Sequence, residues 1–316
     1  MTALDVITLG ESLGLVMGEP ASPLRAGSPA RFSFAGAESN VAIGLARLGH
    51  TVGFVTRVGD DSIGRMITET LRGEGVDVGG VVVDPSAPTA LMVRQHRTAD
   101  ALTVVYYRDG AAGSRLEPAD VPDLTGARLL HVTGITPALS GSADETVTAA
   151  VRAARAAGLV VSLDVNHRSL LWTAAAAGAA LGPLLDAVDI VFGGDEELLM
   201  LAQRDDGDVE TAVKGLLAQR PSVVVRKRGS DGATAYGDFG AVERSAVPVT
   251  AVDPVGAGDA FVAGFLSGLL DGADPGACLD RAVECGAFAV SVHGDWEGAA
   301  RRSELGLLAR AERVHR

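Results

Sequence analysis

The chain has 316 residues, 47% of them hydrophobic, and sets 40 Asp and Glu against 27 Lys and Arg for a formal net charge of −13. That length suffices for a full hydrophobic core in one large α/β domain, and no apolar run approaches the ~20 residues of a membrane span. The negative charge argues against nucleic acid or an anionic membrane as partner, because both would repel the protein at long range; a small anionic substrate needs arginines gathered locally.

In chain order, Met1 leads at once into a first strand at residues 5–9, without the basic stretch and apolar block of a secretory signal, so a cytoplasmic protein is expected. Segment 13–34 follows, then the small-residue turn Ala35-Gly36-Ala37-Glu38-Ser39-Asn40 and a helical stretch over 41–49. Short β-branched runs at 52–56, 129–133, 160–163, 189–192 and 223–226 read as strands with alanine-rich helices between them. That alternation predicts a mostly parallel, doubly wound sheet covered on both faces, with ligands at the carboxyl ends of its strands. Residues 89–97 and 101–108 break the rhythm: they alternate in β fashion around Thr98-Ala99-Asp100 and predict a hairpin outside the main sheet. With residues 13–35 it would form a small β lid inserted in a single domain spanning 1–316. The alanine-glycine tract at 174–182 reads as a plain helix or loop. Cys278 and Cys285, seven apart in a helical pattern, share a face and read as buried thiols rather than metal ligands or a disulfide.

The most informative segment is Asp253-Pro254-Val255-Gly256-Ala257-Gly258-Asp259-Ala260-Phe261, a glycine turn that runs into an apolar helix. Gly256 and Gly258 lack a Cβ, so the backbone can offer successive N–H groups to one anion, and the helix adds the positive end of its macrodipole. Asp259 would repel a phosphate there unless it turns to the acceptor hydroxyl and takes its proton during transfer. A plain helix cap is the commoner origin of one such motif. The 35–40 turn is likewise open: Gly36 and Ala37 let backbone approach a polyol and Asn40 offers donor and acceptor, but alone the turn reads as an N-terminal cap.

Taken together in register, 35–40, Gly59-Asp60-Asp61-Ser62-Ile63-Gly64 and 253–259 closely resemble the motifs of the ribokinase-like (PfkB-type) sugar kinases, over nearly the whole chain. The resemblance implies a ribokinase-like α/β sheet with a β lid, ATP as donor, Mg²⁺ as its escort, Asp259 as base, and Gly256, Ala257 and Gly258 as an anion hole. It also implies that the turn Gly229-Ser230-Asp231-Gly232 lies near the nucleotide, with Lys227 or Arg228 before it to neutralise polyphosphate charge. The family's Asn-x-x-Glu falls on Gly194-Asp195-Glu196-Glu197, so Gly194 stands where the family has Asn, and Glu197 could still act on Mg²⁺ through water.

The substrate is read from arginines. In Val104-Val105-Tyr106-Tyr107-Arg108, strand alternation puts Tyr106 and Arg108 on one face, and Leu163-Asp164-Val165-Asn166-His167-Arg168 brings Arg168 to the carboxyl edge of the main sheet. Two guanidiniums around one pocket imply an acidic substrate, because each fork matches a carboxylate. The phrases at 106–116 and 164–172 are similar to those of the 2-keto-3-deoxygluconate kinases. That resemblance implies Tyr106, Arg108, Asn166 and Arg168 as substrate contacts beside Gly36, Ala37 and Asn40. His167, where relatives often carry tyrosine, and Trp172 read as rim or packing residues. The expected activity is ATP-dependent phosphorylation of the 6-hydroxyl of 2-keto-3-deoxygluconate, by a homodimer joined through the lid. A fructokinase-like or ribokinase-like kinase of a neutral sugar would have no use for the two arginines. A sensing protein without catalysis would not need Gly256-Ala257-Gly258-Asp259 intact. A Rossmann dehydrogenase would carry GxGxxG after the first strand, where Gly10-Glu11-Ser12-Leu13-Gly14 has another spacing.

Overall fold

A computed structural model describes residues 4–18, 24–96 and 102–308 of the chain. Its strands and α-helices follow the order β1 (Val6–Leu9), β2 (Leu13–Gly18), β3 (Ala30–Ala35), α1 (Ala37–Arg47), β4 (Val52–Gly59), α2 (Ser62–Gly73), β5 (Asp77–Asp84), β6 (Leu91–His96), β7 (Leu102–Tyr107), β8 (Leu129–Thr133), α3 (Gly141–Ala156) and β9 (Val160–Asp164). The second half continues with α4 (Ala174–Leu181), β10 (Ile190–Gly193), α5 (Asp195–Leu201), α6 (Val209–Leu217), β11 (Val223–Lys227), β12 (Ala233–Gly237), β13 (Gly240–Arg244), α7 (Ala257–Leu270) and α8 (Pro275–Val290). Every strand expected from a β-branched run forms, with ends shifted by at most three residues.

Nine strands make the main sheet in the order β13-β12-β11-β10-β9-β8-β1-β4-β5. Pairing is parallel from β11 through β5 and antiparallel only where β12 and β13 close one edge. The strands are apolar on both faces because both are covered. Val6, Phe54, Phe192 and Val225 pack under α1, α2, α7 and α8, while Ile7, Val55, Leu130 and Val191 pack under α3, α5 and α6. Helix α7 is buried along almost its whole length, as a helix apolar all round requires. The chain runs β1, β4, β5 to one side of β1 and β8, β9, β10, β11 to the other, so the topological switch lies at β1 and β8, and the site gathers at the carboxyl ends around it.

The expected hairpin forms from β6 and β7 and joins β2 and β3 in a separate four-stranded sheet, ordered β3-β2-β6-β7. The turn expected at Thr98, Ala99 and Asp100 lies outside the described residues. One face of this sheet packs Leu13, Leu15, Met17 and Met92 inward, and the other exposes Phe32, Val105 and Tyr107. The alanine-glycine tract forms α4, capped where Thr173 Oγ1 accepts the Ala176 N–H. Cys278 and Cys285 are free and buried on one face of α8. Among the described residues no helix is long and apolar enough to cross a membrane.

Candidate active site

Gly256 caps the N-terminus of α7 at φ 75°, in the left-handed region that favours glycine, and a Cβ there would lie 1.8 Å from the carbonyl oxygen of Asp295. The amides of Gly256, Gly258 and Asp259 donate to nothing among the described residues, and that of Ala257 makes only a long bond, 3.4 Å, to the Pro254 carbonyl. Orphaned donors at the start of a buried helix are what an anion takes.

This turn is the wall between two cavities. The larger, about 570 Å³, is lined by Lys227, Gly229, Gly232, Ala257, Gly258 and the apolar Phe261, Val283 and Val290. The smaller, about 200 Å³, is lined by Gly36, Ala37, Asn40, Tyr106, Arg108, Arg168, Gly256 and Asp259 from the predicted set, and by Glu11, Glu38, Arg94 and Asp295 besides. The larger cavity falls in the size range of ligand sites and is mostly apolar with polar groups at one end.

Asp259, 8% exposed, faces the smaller cavity. Its Oδ2 accepts from Asn40 Nδ2 at 2.8 Å and its Oδ1 from Asn166 Nδ2 at 3.4 Å. Asn166 stands at φ 41°, just beyond the end of β9, and meets the carboxylate without being among the residues that line the smaller cavity. Burial pushes the Asp259 carboxyl up to about 6; the Asn40 hydrogen bond opposes the rise, the nearby Asp164 charge adds to it, and Arg168 and Lys227 oppose it. That value suits a base near neutral pH. Asn40 Oδ1 is buried without a partner, an acceptor left for a ligand hydroxyl. Beneath it, burial pushes Glu38 up to about 7, although Thr133 and Thr136 each donate to its Oε1 at 2.6 Å.

Beside the larger cavity, Lys227 ends β11 and donates to both Asp164 oxygens, at 2.6 and 2.9 Å. Burial works against its charge, but Asp164, Glu197 and Asp259 outweigh it and hold its pKa above the ordinary lysine value. Arg228 instead pairs with Glu243 and lines neither cavity, so of the two basic residues before the 229–232 turn it is Lys227 that reaches the site. Glu197 serves backbone: Oε2 accepts the Gly194 N–H at 2.7 Å, and Oε1 the His167 N–H at 2.8 Å. Each oxygen keeps a lone pair for one further contact, and Glu197 lines neither cavity. The ring of His167 lies 3.1 Å from the Trp172 carbonyl, and Trp172 packs against the core under α3, so neither lines a cavity.

The two arginines converge on the smaller cavity but are not equivalent. Arg108 stacks over Tyr106 with 4.9 Å to the ring centroid, and its Nε and Nη2 both donate to Oε2 of the buried Glu11. One edge of the Arg108 fork is already matched by Glu11, whereas Arg168, exposed at the rim, has no ion-pair partner among the described residues. Sequence reasoning missed Glu11, Glu38, Arg94 and Asp295. Arg94 carried one signal: it occupies the inward register of β6, two residues after the buried Met92, where an apolar residue is expected.

A model of the family described as pfkB family carbohydrate kinase matches residues 6–300. The chain is 37% identical to the 2-dehydro-3-deoxygluconokinase of Thermoproteus tenax, over 98% of this chain and 95% of that protein. It is 35% identical to the 2-dehydro-3-deoxygluconokinase of Bacillus subtilis (strain 168), over 98% and 97% of the two chains. Among solved structures, an E. coli protein described as a ribokinase II, in complex with ATP and Mg²⁺, superposes with a TM-score of 0.89 at 28% identity, over 98% of this chain and 99% of that one.

Proposed function

The chain belongs to the pfkB family of carbohydrate kinases and has the ribokinase-like fold, and from that premise we propose that it transfers the γ-phosphoryl group of ATP to the 6-hydroxyl of 2-keto-3-deoxygluconate, the sugar acid also called 2-dehydro-3-deoxygluconate. The observation that carries the reading is the turn at 256–259, which stands between a larger cavity fit for a nucleotide and a smaller one fit for a sugar. ATP lies in the larger cavity with its phosphates toward Lys227 and the orphaned amides; the sugar acid lies in the smaller one. Asp259 takes the proton of the 6-hydroxyl as that oxygen bonds to the γ-phosphorus, and the bond from phosphorus to the β,γ-bridging oxygen breaks to release ADP. The amides of Gly256 and Gly258 hold the phosphoryl oxygens, and the small sheet keeps out the water that would otherwise hydrolyse ATP. Mg²⁺, when bound, supplies further neutralisation of polyphosphate charge, and Glu197 would hold it through water.

The acid is favoured by Arg168, a cation with no ion-pair partner among the described residues at the mouth of the smaller cavity, and by the two relatives named for this substrate. The Glu11–Arg108 pair is the one observation on the side of a neutral sugar, because a matched guanidinium has less to give a carboxylate. An ADP-release assay over keto-deoxy acids, fructose, ribose and nucleosides separates the two. Arg168→Ala is expected to raise the KM for the acid by about 10- to 100-fold, the worth of one charged hydrogen bond, with a smaller rise for Arg108→Ala. Activity on a neutral sugar should change by less than about threefold. Equal losses on both substrate classes would favour the neutral-sugar reading.

A further inference from the structure

Arg94, 1% exposed, is the bulkiest fully buried side chain among the described residues. It belongs to β6 of the small sheet, yet its charge is spent on loops of the main body. Nη2 donates to Asp253 Oδ2 at 2.9 Å, with Met17 Sδ also at 2.9 Å, and Nη1 donates to Asp295 Oδ2 at 3.1 Å. Asp253, fully buried, in turn holds the glycine turn: its Oδ1 accepts the Val255 N–H at 3.1 Å and its Oδ2 the Gly294 N–H at 3.3 Å. The Asp295 backbone packs directly on Gly256. One guanidinium therefore touches both segments that shape the turn, and it comes from a different sheet. Docking alone would be served as well by a packed apolar side chain, since a buried charge cluster adds little net stability for its desolvation; fixed geometry is what the charges add.

We propose that Arg94 is a positioning residue for phosphoryl transfer: it fixes Asp253, and through Asp253 the amides of 256–258, so that the seating of the small sheet on the main body sets the shape of the phosphate cradle. The inference rests on the reading of that turn as the cradle, and not on which sugar is used. Arg94 also lines the smaller cavity, so direct contact with the sugar is the rival role.

The test is a double-mutant cycle on Arg94→Lys and Asp253→Asn, with the sugar that the wild type turns over best, assayed well below the melting temperature of each variant. Lysine keeps the charge but cannot span both carboxylates, and asparagine keeps an acceptor for the Val255 amide. Each single change is expected to lower kcat by roughly 30- to 100-fold, as a small misplacement of reacting groups does, with both KM values within about threefold. The double variant should be scarcely worse than the worse single, because both act through one link. Should Arg94→Lys not fold, Asp253→Asn alone must still give the kcat loss. A raised sugar KM with kcat kept would make Arg94 a substrate contact; a lowered melting temperature with kcat kept would leave it a structural pin; multiplying losses would remove the link through Asp253. Each overturns the inference. Gly258→Ala is run alongside: full turnover in that variant would overturn the cradle itself, whereas lost turnover there with normal kcat in the Arg94 variant would sink the positioning role alone.

Discussion

Asp259→Asn is expected to lower kcat by about 1000-fold, the middle of the range for a positioned general base, while the KM for ATP and the binding of the sugar change little. The amide has the shape of the carboxylate and can still meet Asn40, so the loss isolates the proton acceptor. The same argument gives a pH profile. The base works only when ionised, and burial raises its pKa to about 6; kcat should therefore be full above that value and fall as pH drops through it, about tenfold per unit. Glu38 titrates nearby, at about 7, so the two carboxyls share the macroscopic profile. Below pH 7 Glu38 is already mostly neutral, and Glu38→Gln should keep the acidic limb where Asp259→Asn removes it. A flat profile between pH 5 and 7 in the wild type, or an Asn variant within about tenfold of it, would take the base assignment away from Asp259.

Much of the frame behind that prediction was legible in the chain. Parallel strands buried on both faces write themselves as unbroken β-branched runs, which is why 129–133 and 223–226 could be placed almost to the residue. The edge strands β5 and β13 were not named, because glycines such as Gly79, Gly80 and Gly240 interrupt them and half-exposed faces dilute their apolar pattern. In the site, residues announced by backbone demands lie together at the cavities: the glycines of the 256–258 turn, and Asn40 and Asp259 beside the two small-residue turns. What stayed hidden were charges whose meaning depends on a distant partner. Arg108 was placed at the pocket, but its partner Glu11 lies 97 positions away and takes one edge of its fork. Arg94 has its partners 159 and 201 positions away, and no local pattern carries such a pairing.

The glycine turn makes the second large effect. Gly256→Ala places a methyl where the Asp295 carbonyl oxygen lies 1.8 Å off and forces an L residue to φ 75°. The backbone conformation costs about 1 to 3 kcal/mol and the overlap a similar amount, so the variant should melt roughly 5 °C or more below the wild type. Because the displaced loop carries the amides themselves, kcat should fall by on the order of 100-fold, comparable to losing one donor to a developing charge. Gly258→Ala separates fold from function within the same turn. Its backbone has no such demand, and a Cβ there would meet only Lys227 Nζ, at 3.9 Å, an ordinary contact. That variant should melt with the wild type, yet its methyl juts into the wall of the larger cavity where the transferring phosphate belongs, so turnover with ATP should still drop. If Gly258→Ala turned over normally, phosphate would not lie against this wall, and the amides at the start of α7 would be free of any catalytic duty whatever Gly256→Ala did to stability.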